Sequence, residues 1–436
     1  MIINLVRRSF HNTFLKVTGA NGLISVAKAF LVIISNKVLA IVIGATGIAM
    51  IGQLQNFTTI ITQISNGGFN QGLTKYIAEN RDNKNEVKEF VGTAFRISFL
   101  LTSVTALFII LLSGFLSSRI FDTLEYNSIL IIFAFTLFFY NLNSLILSII
   151  NGFQEYRKYF KINITTTVVG FVLTIGLVLL LKEYGALLAI VLSQSIVSIF
   201  AYLFIKKDYW LKAFSFKIFR KSKMFLLLKY SAITLLGTVI WPLVSIVIRT
   251  YVINNISAKE AGLWQAARYI DHYIVNIAAG SFSVYLLPKL ASVTDSQSLK
   301  KELKSIYKVI IPISLACFIL VFIFRDFVII LLYSKEFLKA SQYLILQMIG
   351  SFFWLCKSPL MNFMLAKGMI KTFIANEMIF AVFVIILSII LIPCFEIQGI
   401  QFTYTLQSLL YLIVSIYLIK KYIAKMQIEE RVNYKE

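Results

Sequence analysis

Within an apolar stretch long enough to cross a bilayer, from Gly262 to Lys289 (GLWQAARYIDHYIVNIAAGSFSVYLLPK), stand Arg268, Asp271 and His272. Their spacing of three and four residues places them on one side of a helix. Ionisable groups at that depth are costly in lipid and persist only when they face protein or water. Two chemistries are open to the trio. One is an internal Arg–Asp pair that neutralises itself; the other is an anion-binding wall in which Asp271 holds the guanidinium in place. His272 adds a weak signal for proton transfer.

Further charges interrupt other apolar runs. Lys28 and Lys37 lie in the first run, two and a half helical turns apart, and so point to opposite sides of an ideal helix. Each either snorkels to the nearer membrane surface or lines an interior. Lys357 sits mid-run just before Pro359, and Arg249 lies near the end of the seventh run, where it can snorkel or face inward. Glu377 is about a turn into the eleventh run and reads either as a charge at a helix start or as a cation or proton site, and Asp271 and Glu377 are the two candidates for ion coupling or gating. Lys28, Lys37, Arg268 and Lys357 outnumber Asp271 and Glu377, which leaves an excess of buried positive charge. Such an excess needs an anion, and phosphate suits Arg and Lys through charge-assisted hydrogen bonds. Gln53, Gln55, Asn56, Gln63, Asn66, Asn70 and Gln71 crowd the second run, where amides fit a hydroxyl-rich cargo or ordinary helix–helix bonding.

The elements that must carry these residues are membrane helices. The 436 residues are 58% hydrophobic and only 14% charged, outside the range of soluble domains. Twelve apolar runs between residues 20 and 419, unbroken by period-two alternation, predict an all-α integral membrane protein and exclude a barrel. Lys and Arg concentrate in alternate loops, which places both termini in the cytoplasm. The expected organisation is a cytoplasmic amphipathic arm (1–19), a six-helix lobe (20–205), a basic cytoplasmic linker (206–224), a second six-helix lobe (225–419) and a cytoplasmic tail (420–436). A shift of about 214 residues superimposes features of the two lobes, such as Gly185 on Gly399 and SIFAYLFIKK on VSIYLIKK, the mark of a parallel internal repeat. Such repeats place a binding site at their interface near the bilayer midplane. The arm has no apolar core before a small-residue cleavage site, so no cleavable signal is expected.

The net charge of +22 does not point to nucleic acid, because the cations sit in short loops and no folded domain presents them. Cys317, Cys356 and Cys394 are odd in number, lie in or at the end of apolar runs and lack metal spacing, so they read as packing residues. The GATG at 44–47 is followed by no GK[ST], and no triad or HExxH is present. A transporter without covalent chemistry or cofactor is expected, with proton or sodium coupling left open.

The segments GLWQAARYIDHY and SFSVYLLPKL, with FNQGLTKYIAENRDN in the first half, resemble Wzx-type flippases of the multidrug/oligosaccharidyl-lipid/polysaccharide (MOP) exporter superfamily over nearly the whole chain. The resemblance implies a MATE-like fold of twelve helices in two lobes around a cationic cavity. It also implies alternating-access movement of an undecaprenyl-diphosphate-linked oligosaccharide, an O-antigen or related repeat unit, to the outer leaflet of the bacterial inner membrane. Polysaccharide polymerase or chain-length machinery is the implied protein partner. Lys28 and Lys37 match the expected first-helix lysines, and Arg249 a seventh-helix arginine. The expected eighth-helix acid aligns with His272, one residue after Asp271, and Lys357 falls one turn after the corresponding cation. The rival readings are a peptidoglycan-precursor flippase, a cation-coupled drug or metabolite exporter of the same superfamily, and a membrane-embedded glycan polymerase or ligase. The exporter would prefer an acidic cavity, and the polymerase a large catalytic outer loop.

Overall fold

Backbone amides have no water to bond to in a bilayer, so apolar runs of this length must close their hydrogen bonds within helices. In a computed structural model, the backbone is described for residues 2–293 and 295–433. Side chains are described for 30–428, except 230, 232, 233, 274, 276–289, 291, 292, 294 and 309. No strand occurs among the described residues. The helices are α1 (Ile2–Ser65), α2 (Asn70–Glu79), α3 (Lys84–Leu111), α4 (Ser113–Phe121), α5 (Asn127–Gly152) and α6 (Tyr156–Ile205). After a 3-10 turn at Tyr209–Ala213 come α7 (Lys221–Asn255), α8 (Ala258–Ser292), α9 (Ser296–Ile323), α10 (Arg325–Leu332), α11 (Ala340–Ala366) and α12 (Ile370–Asn433).

Three of the nine long helices break at one residue: α1 at Gly44, α6 at Lys182 and α12 at Glu396. Counting each broken helix as two limbs gives twelve long rods among the described residues, as the apolar runs predict. Among the described residues eight stretches are long and apolar enough to cross a membrane, and large aliphatic side chains such as Leu111, Leu180 and Val104 stand exposed along them. Aliphatic surface on that scale is stable only against lipid. The chain is a multi-pass membrane protein.

The internal repeat is written into the backbone. Gln154 and Gly368 both take positive φ (59° and 70°), and so do Lys182 and Glu396 (50° and 49°). Gly185 and Gly399 follow those two breaks, and a Cβ on either would meet the carbonyl oxygen of Leu177 or Leu391. Each of the three pairs is 214 positions apart, the offset read from the sequence.

The chain forms two compact units, Met1–Gly44 with Gln53–Val239, and Ala45–Gly52 with Ile240–Glu436. The core of the first joins Phe69, Leu73 and Ile77 of α2, Phe90 and Val91 of α3, and Ile146, Ile149 and Ile150 of α5. Trp210 and Ala213 belong to the same core. The basic stretch 206–224 is therefore packed structure: Asp208 receives Lys158 Nζ at 2.6 Å, Arg220 pairs with Glu89 at 2.8 Å, and Lys223 pairs with Glu86. Polar groups inside this unit bond one another. Asn141 Nδ2 donates to Ser65 Oγ (2.8 Å) and Thr102 Oγ1 (2.7 Å), and Asn70 Nδ2 donates to Ser144 Oγ (2.7 Å). Asn70 thus serves the ordinary helix–helix use of a membrane amide. The second unit packs Leu299 and Ile310 of α9, Phe363 and Met364 of α11 and Ile419 of α12 around Leu290.

Candidate functional site

The second unit gathers five of the eight charged or titratable residues singled out in the sequence around one helix pair, α8 and α11, and a sixth, Arg249, reaches in from α7. α8 starts at a capping residue, Ser257, whose Oγ accepts from Glu260 N at 3.1 Å. The Glu260 side chain in turn takes the Tyr343 hydroxyl and Lys339, which ties the start of α8 to the start of α11. Close approach of α8 to limb 45–52 is possible because position 262 is glycine: a Cβ there would lie 1.7 Å from Ala45 O.

Arg249 is fully buried and donates from Nη2 to Gln265 Oε1 of α8. It does not snorkel. One turn along α8, Arg268 donates from Nη1 to Ser245 Oγ at 3.0 Å and lies 3.4 Å from His272 Nε2 through Nη2. Both guanidiniums face the Trp264 ring, with Cζ 5.7 Å (Arg249) and 5.2 Å (Arg268) from its centroid. Gly52 leaves room for them: a Cβ there would be 2.8 Å from Gln265 Cδ and 3.1 Å from Arg249 Cζ. Arg268 is partly exposed and His272 exposed, so this is the open edge of the cluster.

Asp271 does not hold the guanidinium. The carboxylate is buried and accepts from Gln347 Nε2 of α11 at 2.9 Å, and no ion pair joins it to Arg268 among the described residues. Nearby, Ser351 Oγ and Tyr404 OH are 3.0 Å apart and link α11 to α12.

Further along α11, Lys357 is buried within aromatic rings. Its Nζ lies 3.8 Å from the Tyr411 centroid, 5.9 Å from Trp354 and 6.0 Å from Trp241. Glu377 is buried beside it, and neutral donors occupy its two oxygens: Trp241 Nε1 at 2.5 Å and Tyr411 OH at 2.8 Å. Neither Arg268 nor Lys357 has a carboxylate within ion-pair distance among the described residues. A desolvated cation gains about 2 kcal/mol from ring faces, less than the several kcal/mol its burial costs. The arrangement favours an anion.

Lys37 is partly buried and belongs to the first unit; the Lys28 side chain lies outside the described residues. Sequence reasoning missed the partners. Trp264 and Gln265 stand one turn before Arg268, and Trp354 one turn before Lys357, so helical spacing carried that signal; Ser245, Trp241, Gln347 and Tyr411 come from other helices and left none. Among the described residues no group of three His, Cys, Asp or Glu side chains could hold a metal ion. A separate cavity of about 200 Å³ between α7 and α12, lined by Ile248, Tyr251, Ile385 and Ile389, carries no charge.

Comparison with known proteins adds family and fold. The sequence profile of the family described as "Polysaccharide biosynthesis protein" matches residues 14–294. The chain is 25% identical over 367 residues to the lipid III flippases of Escherichia coli K12 and Shigella flexneri, covering 83% of this chain and 86% of theirs. An inward-facing multidrug-resistance MATE transporter of the MOP superfamily superposes with TM-score 0.77 at 15% identity, over 91% of this chain and 95% of that one. A MOP transporter from Pyrococcus furiosus, described as having a binding pocket of reversed polarity, superposes with TM-score 0.67 at 15% identity, over 93% and 94%. The fold is that of the MATE-like MOP transporters.

Proposed function

The chain belongs to the polysaccharide biosynthesis protein family, and from that membership and its buried cations we propose that it is a flippase for a polyprenyl-diphosphate-linked oligosaccharide. The finer reading is the repeat unit of an O-antigen or related surface polysaccharide, joined to undecaprenyl diphosphate. The observation that carries the proposal is the state of Arg268 and Lys357: two cations within membrane helices, bonded to a hydroxyl, a histidine and ring faces, with no carboxylate among the described residues within ion-pair distance of either. The likeness to lipid III flippases supports the lipid-linked glycan.

In this mechanism the diphosphate oxygens take the place of the missing counter-ion. The planar Arg268 fork, with Arg249 beside it, suits paired phosphate oxygens. The glycan follows into the polar interior, and the prenyl chain stays in lipid. Alternating access then opens the bound head group to the opposite face. Both termini are cytoplasmic in this reading, so an inside-negative potential favours export of the anion by about 2.3 kcal/mol per charge per 100 mV. Energetics therefore do not require a coupling ion.

The test is complementation of a flippase-deficient bacterium that makes the matching glycan, with Lys28→Ala, Arg268→Ala and Lys357→Ala compared at equal membrane levels. Wild type restores surface glycan, and Arg268→Ala and Lys357→Ala reduce it at least tenfold. Full restoration by both variants would show the cations to be structural. Accumulation of labelled lipid-linked precursor inside cells carrying wild type would reject the flippase reading itself.

A further inference from the structure

Residues 206–229, KKDYWLKAFSFKIFRKSKMFLLLK, hold eight cations and one acid, and the fold sorts them. Asp208 is taken by Lys158, and Arg220 and Lys223 pair with Glu89 and Glu86 of α3. Lys212, Lys217 and Lys221 are exposed and meet no carboxylate within ion-pair distance among the described residues. The inner side of the strip is pinned. Trp210 and Ala213 enter the core of the first unit and Ile218 packs against it. Gly92 of α3 gives Ile218 room, since a Cβ there would lie 2.6 Å from Ile218 Cβ. Arg220 N donates to Thr93 Oγ1 at 3.0 Å. A backbone held in this way presents its outer side chains in fixed positions.

Those outer side chains are not only lysines. Phe216 (48% exposed), Phe219 (36%) and Phe225 (59%) stand between them. Their depth follows from α3. Arg96 is the last charge before the uncharged residues 97–118, a run of the length that crosses the hydrocarbon, so Arg96 marks one edge of the bilayer. Arg96 Nη1 donates to Phe216 O at 3.3 Å, and its Cζ lies 4.9 Å from the Phe219 centroid. The Phe216 ring packs on Phe95 (5.3 Å) and on Phe99 (4.9 Å), the latter about one turn past Arg96 into the uncharged run. On α7, Lys229 likewise precedes the uncharged residues 230–248, with Phe225 one turn before it and Lys221 Nζ 6.0 Å from the Phe225 centroid. Aromatic rings interleaved with cations at this level match the boundary between hydrocarbon and headgroups. A nucleic acid or a soluble acidic protein could neutralise the lysines, but neither reaches a ring seated against Phe99.

We propose that the strip from Lys212 to Phe225 is a docking surface for anionic phospholipid of the adjacent leaflet: Phe216, Phe219 and Phe225 enter the boundary of the acyl chains, and Lys212, Lys217 and Lys221 bind the phosphodiester headgroups. The leaflet is the cytoplasmic one in the orientation read from the charged loops. Attraction of basic residues to a negative leaflet falls off within a Debye length, and rings that seat the strip at the surface keep its lysines inside that distance. The chain between the two halves is then an anchor that fixes the first unit to the lipid of one leaflet. Its lipid preference does not depend on which cargo the protein carries.

The full-length protein is tested in nanodiscs of phosphatidylcholine with rising fractions of phosphatidylglycerol of the same acyl chains. Cys317 and Cys394 are exposed and Cys356 is buried. In a Cys317→Ser/Cys394→Ser background, an environment-sensitive fluorophore on Ser222→Cys, an exposed position, reports the surface. Its emission is expected to shift to the blue and saturate as phosphatidylglycerol rises, and high salt should reverse the shift. Lys212→Gln, Lys217→Gln and Lys221→Gln together raise the half-saturating fraction several-fold. Lys300→Gln, Lys301→Gln and Lys304→Gln, which remove equal charge from exposed positions of α9, leave it unaltered. Phe219→Ser with Phe225→Ser shrinks the shift at saturation. Variants are compared only where the unfolding temperature in phosphatidylcholine alone matches wild type; should the first triple not fold, Lys217→Gln against Lys301→Gln carries the comparison. The proposal is overturned if phosphatidylglycerol produces no shift, or if the two sets of lysine changes act equally, which would make the preference a general effect of charge. It is overturned too if loss of both rings leaves the shift whole, or if soluble glycerol 3-phosphate shifts the emission in phosphatidylcholine alone, which would make the site one for a free phosphate ion.

Discussion

Arg268 is placed by three neighbours of different reach: Ser245 from α7, Trp264 one turn before it, and His272 one turn after. Two of these are helical neighbours and the third fixes the arginine to another helix. A planar guanidinium bonded this way is not replaceable by an ammonium. Arg268→Lys is therefore expected to lower restoration of surface glycan several-fold although the charge is kept, measured by complementation at equal membrane levels. Gly52 tests the same site from the far side. Gly52→Ala drives a methyl against Gln265 and Arg249, and overpacking of this kind costs about 1–3 kcal/mol. The expected result is a lower unfolding temperature together with weaker complementation at equal membrane levels; a change in stability with unaltered complementation would show that the Arg249–Gln265 contact is not part of the site. At this scale the helical neighbours of Arg268 and Lys357 were legible from spacing, and the partners from other helices were not.

At the scale of elements, the breaks at Gly44, Lys182 and Glu396 turn three continuous helices into pairs of rods. The sequence signals them with glycine and charge between apolar runs, and the repeat offset predicts that the second and third correspond. The basic stretch 206–224 shows the limit of such reading. Charge and the lack of apolar runs mark it as a linker, yet Trp210 and Ala213 enter the core of the first unit while the cations pair with Asp and Glu of that unit. Trp210→Ala should therefore destabilise by about 3–5 kcal/mol, as for other large core aromatics. Lys212→Ala, at an exposed position of the same turn, should stay within about 0.5 kcal/mol. Thermal unfolding in detergent or nanodiscs separates the two, and equal, small effects would return the stretch to a linker.

For the molecule as a whole, charge placement and the anionic ligand make one prediction together. Reconstituted with the cytoplasmic side inside, the protein should export a lipid diphosphate faster when a potassium-diffusion potential makes the interior negative, by a factor that grows with the charge moved. Reversing the potential should slow it. Independence of voltage would mean that the charge is compensated during the step, as a coupled cation would do, with Asp271 and Glu377 the first residues to examine. Reporter fusions at residues 206–224 and after residue 433 check the orientation on which the sign depends.

The number of helices and the duplicated plan were determined by the sequence alone, and so was the presence of ionisable residues within the apolar runs. Each follows from a local or summed property: the length of apolar runs, the period of a repeat, the count of ionisable residues at membrane depth. Tertiary structure alone decided that Asp271 bonds Gln347 and leaves Arg268 to Ser245, His272 and Trp264, that Arg249 turns inward, and that Glu377 holds rings around Lys357. Those choices depend on which faces of α7, α8, α11 and α12 meet. Helix-to-helix register is set by side-chain packing over many residues distant in sequence, so a pattern within any one helix does not contain it.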